Sequence, residues 1–119
     1  MDTSKLREQD VRYVNEVVKY LTERELEVEL GGSALKGDRE YNDVDLLAKG
    51  DIWAVTDVTS GLMGLEARTD PFPECSADGS EYHVEHVGGR MSYVDNLVDE
   101  RFDIQAGDTR IDLCLKTQR

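Results

Sequence analysis

The chain has little of what several common sites are built from. Two cysteines, Cys75 and Cys114, are too few for a disulfide framework, so both are expected as free thiols, with a Cys75–Cys114 disulfide as the alternative. Cys114 lies in an apolar run, where a buried thiol is the common outcome. The two histidines, His83 and His86, are three apart on an expected strand and so face opposite sides, which disfavours a shared metal. No Ser-His-Asp or Cys-His arrangement stands out. No apolar run is long enough to cross a membrane and no secretory leader is visible, so a membrane partner is not expected and a cytoplasmic location is. Basic residues are also scarce, 14 against 26 acidic, for a formal net charge of −12. Such a surface repels nucleic acid, because phosphate contacts supply most non-specific affinity. The acid excess reads either as a solvated surface or as adaptation to high salt. At 119 residues a single domain, 1–119, with a modest core is expected.

What the chain does have is concentrated between Leu30 and Leu47. Gly31, Gly32 and Ser33 form a small-residue turn, Gly37 follows, and the stretch ends in Asp43-Val44-Asp45-Leu46. On a strand, Asp43 and Asp45 share one face while Val44 and Leu46 take the other. Like charges held that close repel, and the usual remedy is a bound cation, for which hard carboxylate oxygens favour Mg²⁺. The glycine turn supplies backbone N–H groups with little bulk, and residues 33–37 are expected to open a short helix whose start attracts phosphate. A phosphate-cradling turn followed by a metal-binding carboxylate pair suits phosphoryl or nucleotidyl transfer.

The rest of the chain supplies the context for that motif. Asp2-Thr3-Ser4 can cap an amphipathic helix carrying Leu6, Val11, Val14, Val17, Val18 and Leu21 to about Arg24. Residues 27–30 alternate as a half-buried strand that leads into Gly31, and 43–48 form the acidic strand. Asp51 can cap a second helix through Leu62. A short strand is expected over 65–68, and a long loop holding both prolines over 69–80. Further strands are expected over 82–87 and 91–94, joined by a Gly88-Gly89 hairpin turn, and over 101–105 and 109–116, joined at Ala106-Gly107-Asp108. The expected class is α+β, a mixed sheet with helices packed on one face and C-terminal antiparallel hairpins. Ile111-Asp112-Leu113-Cys114-Leu115 is an apolar strand broken by one acid, which must sit at an exposed edge or meet a partner or metal. The period of two places Asp112 and Cys114 on one face and Ile111, Leu113 and Leu115 on the other.

Gly32-Ser33, a nine-residue spacer and Asp43-Val44-Asp45-Leu46 resemble the signature of the DNA polymerase β-like nucleotidyltransferases, and most closely their small members, the minimal nucleotidyltransferase antitoxins. Lys36 and Gly37 fall where those proteins commonly carry a basic residue and a glycine. Gly31 stands where many have an aromatic residue, and Ala34 where many have arginine. The resemblance implies a polymerase β-like nucleotidyltransferase fold, with Asp112 as the third metal-binding carboxylate on a later strand and Asp103 as its rival. It further implies transfer of a nucleoside monophosphate, AMP foremost, from ATP or another nucleoside triphosphate to a hydroxyl acceptor. Asp43, Asp45 and Asp112 would be catalytic and hold two Mg²⁺ ions, while Gly32, Ser33, Lys36 and Arg39 would bind the nucleotide. The implied acceptor is a partner protein such as a HEPN-type toxin. The alternatives are a non-catalytic binding module of the same fold and a toxin-type nucleotidyltransferase acting on RNA.

Overall fold

The structure is a computed structural model that describes residues 2–35, 41–65, 70–92 and 97–118. In chain order it runs α1 (Glu8–Glu23), β1 (Glu27–Gly31), α2 (Gly32–Leu35), β2 (Val44–Gly50), α3 (Ile52–Leu62), β3 (Tyr82–Ser92), β4 (Leu97–Ala106) and β5 (Thr109–Thr117). The five strands make one mixed sheet in the order β1-β2-β5-β4-β3. β2 and β5 are parallel; every other neighbouring pair is antiparallel. This is an α+β architecture, and the position of the final strand is decisive. β5 lies in the middle of the sheet, against β2, with the hairpin partner β4 on its other side.

Alternation along the strands gives the sheet one apolar face. Val44, Leu46 and Ala48 of β2, Ile111, Leu113 and Leu115 of β5, and Val98, Phe102 and Ile104 of β4 are all buried. They pack in one core with Val14, Val17 and Leu21 of α1 and Val55, Val58 and Leu62 of α3. Each helix buries a stripe with the spacing of a 3.6-residue period. The opposite face of the sheet carries Glu27, Glu29, Asp45, Lys49, Asp112, Lys116, Arg101 and Asp103, all at least partly accessible.

α3 starts where its cap requires, since the Asp51 carboxylate accepts from the Ala54 N–H at 2.8 Å. α1 does not begin at Asp2-Thr3-Ser4. The Asp2 side chain instead accepts from the Ser4 N–H at 2.9 Å, closing a local turn that competes with helix, and α1 begins at Glu8 with no side-chain cap. Glu8 and Asp10 in its first turn complement the helix dipole.

The Gly88-Gly89 hairpin expected from sequence is not formed. β3 continues through both glycines, with a bulge between His86 and Gly88 where the register shifts against β4. Gly88 has φ of 153°, and a Cβ on Gly89 would come within 1.9 Å of Glu100 Oε2. The two glycines therefore let β3 pass over the buried Glu100, whose carboxylate also meets His86 Nε2. A double glycine reads alike as a turn and as a bulge; here ten-residue β4 offers ladder partners to both halves of β3, which settles the choice. The strand expected over 65–68 lies mostly outside the described residues, and Leu65 itself is not in a strand.

The loop before β3 is tied down. Glu16 of α1 accepts from Ser76 Oγ, the Tyr82 hydroxyl and the Ala77 N–H, and Asp78 accepts from Arg12 and the Tyr13 hydroxyl. A second cluster fixes the approach to β2. The Asp10 carboxylate, 1% exposed, accepts from the Tyr41 hydroxyl, from Thr109 Oγ1 at 2.7 Å and from Arg7 Nε at 3.1 Å. It thereby joins α1 to the segment just ahead of β2 and to the first residue of β5. Thr109→Val should cost about 1.5–3 kcal/mol in urea unfolding, the range for a hydrogen bond to a charged group. In an Asp10→Ala background the same change should cost nearly nothing; additive effects would show that the cluster does not act as a unit.

Candidate active site

The register of the central strands decides which acids meet. Asp45 of β2 lies directly opposite Asp112 of β5, and Asp112 in turn lies opposite Asp103 of β4. Gly31 completes the line beyond Asp45, and Glu85 of β3 beyond Asp103. Three aspartates thus stand in a row on adjacent strands, each about 4.8 Å from the next strand, on the face that no helix of the core covers.

Their neighbours separate them. Asp103 is in an ion pair with Arg110 at 3.8 Å, whereas no cation lies within 4.0 Å of Asp45 or Asp112 among the described residues. Between the two candidates for a third carboxylate, Asp112 is the one placed beside Asp45 and left uncompensated. Asp43, expected as the first residue of the acidic strand, sits instead in a bend immediately before β2, and its Oδ1 is buried with no hydrogen-bond partner among the described residues. The Asp45 carboxyl is pushed above the usual carboxylate range, first by burial, then by the charges of Asp112 and Asp43, with Arg101 pulling the other way.

The glycine turn abuts this row. Gly32 has φ of 65°, and a Cβ there would come within 1.9 Å of Asp45 Oδ2. Both the backbone conformation and the close approach require glycine. α2 follows at once, with the Ser33 backbone in its first turn. Ala34 is fully buried, so the position at which the resemblance has arginine is a core position in this chain. Lys36, Gly37 and Arg39 lie outside the described residues.

A cavity of about 290 Å³ opens here, lined by Gly31, Gly32, Asp45, Arg101, Asp112 and Cys114 among others. Nothing in the sequence alone marks Arg101 as a site residue. The only signal was its place in the alternation Arg101-Phe102-Asp103-Ile104, which becomes informative once β4 is paired with β5 and Arg101 falls opposite Cys114. Cys114 is half-buried on this face rather than in the core as expected, and both cysteines are free. Burial raises its thiol, with Asp99 adding to the effect. His83 and His86 take opposite faces, one opposite Gln105 and the other opposite Phe102.

The donor chemistry fits a hard divalent cation. Three carboxylates would offer oxygen ligands, and the orphaned oxygen on Asp43 and the mutual repulsion at Asp45 would both be relieved by positive charge. As they stand, no three His, Cys, Asp or Glu side chains among the described residues are gathered closely enough around one point to enclose a metal. Comparison with protein-family models, curated proteins and solved structures found no match.

A carboxyl raised in the folded state stabilises the protein fully only below its unfolded value, 3.8 here, and that contribution is lost as pH rises through the folded value. Asp45→Asn should accordingly raise the melting temperature in EDTA at pH 7 by a few degrees, with the gain fading as pH falls towards 4. A lower melting temperature at pH 7 would mark Asp45 as structural. Gly32→Ala should destabilise by about 1–3 kcal/mol in urea unfolding, because alanine cannot hold the turn without displacing the Asp45 carboxylate.

Proposed function

We propose that this chain is a metal-dependent nucleotidyltransferase that moves a nucleoside monophosphate, AMP foremost, from a nucleoside triphosphate to a hydroxyl on a partner protein. The observation that carries the reading is the juxtaposition of Asp45 and Asp112 on the two central strands, beside the Gly32 turn and on the sheet face opposite the helical core. The order of these parts along the chain is also that of the polymerase β-like nucleotidyltransferases, whose fold we assign to this architecture as part of the proposal.

In this reading Asp43, Asp45 and Asp112 hold Mg²⁺. The ions, when bound, supply charge neutralisation to the triphosphate and lower the acceptor hydroxyl's pKa. The chain's own groups do the rest. Gly32 and Ser33 offer backbone N–H groups to the non-transferred phosphates, close enough because Gly32 has no side chain. Lys36 and Arg39 add positive charge from the following segment. Asp112 accepts the proton of the attacking hydroxyl, and pyrophosphate leaves. A formal charge of −12 disfavours RNA as acceptor and favours a protein, with an antitoxin that modifies its cognate toxin as the setting we favour.

A second reading, a binding module of the same fold without turnover, is favoured by the buried Ala34 and by carboxylates that do not converge on one point. Transfer of label from α-labelled ATP into protein, with the product of the neighbouring reading frame as acceptor, separates the two. Asp112→Asn should keep Mg²⁺-dependent ATP binding within a few-fold by calorimetry but slow transfer by about 10²–10⁴-fold. ATP binding without transfer by the unaltered protein would favour the binding module.

A further inference from the structure

The open face of the sheet carries several cations, and their positions are not equivalent. Arg110 is already paired with Asp103 at 3.8 Å. Lys49 and Lys116 lie opposite one another, in line with Asp99 and two residues along the strands from the step that carries Leu47, Cys114 and Arg101. Arg101 alone of the four lines the cavity that holds Gly32, Asp45 and Asp112. It lies opposite Cys114, one alternation step from the row of aspartates, and therefore diagonal to Asp112. Diagonal neighbours on a sheet face are about 7–8 Å apart at the backbone, a gap that an arginine side chain spans.

Arg101 is exposed, and among the described residues it makes no ion pair within 4.0 Å. An arginine that shares a cavity with two carboxylates, but is within ion-pair distance of neither, has its guanidinium fork available to an incoming anion. The planar fork matches phosphate oxygens better than a lysine ammonium does. The cavity, about 290 Å³, is at the small end for a drug-sized ligand and suits a polyphosphate tail better than a whole nucleotide.

We propose that Arg101 is the residue that grips the non-transferred phosphates of the nucleotide, from the wall of the cavity opposite the Gly32 turn. The assignment rests on the nucleotidyltransferase reading and adds a substrate contact to it. Gly31 ends β1 at one side of the cavity and Arg101 lies on β4 at the other, with Asp45 and Asp112 on the two strands between them.

The test is calorimetry in Mg²⁺ with three probes, ATP, AMP and inorganic tripolyphosphate, on the unaltered chain, Arg101→Ala and Arg101→Lys. Loss of a charged hydrogen-bond donor should weaken ATP and tripolyphosphate by about 10- to 100-fold in Arg101→Ala. AMP should change little, and Arg101→Lys should recover part of the loss. Urea unfolding of both variants should match the parent, since the side chain is exposed. Unchanged ATP affinity in Arg101→Ala, or equal weakening of ATP and AMP, overturns the assignment while leaving the nucleotidyltransferase reading in place. Failure of the unaltered chain to bind either ATP or tripolyphosphate overturns both.

Discussion

The parallel pairing of β2 with β5 is the constraint on which the rest of the molecule depends. Its register, Val44 with Ile111 through Gly50 with Thr117, sends Val44, Leu46, Ile111, Leu113 and Leu115 into the core and leaves Asp45 and Asp112 on the other face. A slip of one residue in either strand would exchange these sets and bury a carboxylate. Each large apolar side chain contributes about 1.5–3 kcal/mol on burial. The repulsion between two carboxylates one strand apart is about 1–3 kcal/mol for effective dielectric constants from water to the protein surface. Five buried side chains therefore outweigh one repulsive pair, and packing holds together charges that would otherwise separate.

The molecule contains two sorts of carboxylate. Asp10 and Glu16 are each met by three donors and fasten helix to loop and strand. Among the described residues, Asp43, with one buried oxygen unbonded, and the Asp45–Asp112 pair have no such company. A fold that satisfies its acids so fully at α1 and leaves others unsatisfied beside a glycine turn is locally inconsistent at one place, and such places are where function is expected.

Much of this could be read from the chain. The strand into Gly31, the short helix after it, the Asp51 cap of α3 and the opposed faces of Asp112 and Leu113 all follow from local signals: alternation, a capping side chain, and small residues where the backbone must turn. What local signals missed depends on partners distant in sequence. The start of α1 was hidden because Asp2 makes a tighter local turn than a cap. The β3 bulge depends on the length of β4, and the place of Arg101 beside Asp112 on the register of β4 against β5. The exposure of Cys114 illustrates the limit: its apolar neighbours suggest a core, and only the two-residue period, with helices on one side alone, places it elsewhere.

The two outer strands of the sheet differ in how they end it. β1 is only five residues long and carries Glu27 and Glu29, while β3 is eleven residues long but broken by the bulge at Gly88. A second copy approaching either side would find a ladder too short and too negative on one, and out of step halfway along on the other. Edge-to-edge association, the ordinary hazard of an open sheet, is blunted on both sides by different means. The bulge that lets β3 clear Glu100 thus also helps to keep copies of the chain from stacking strand to strand.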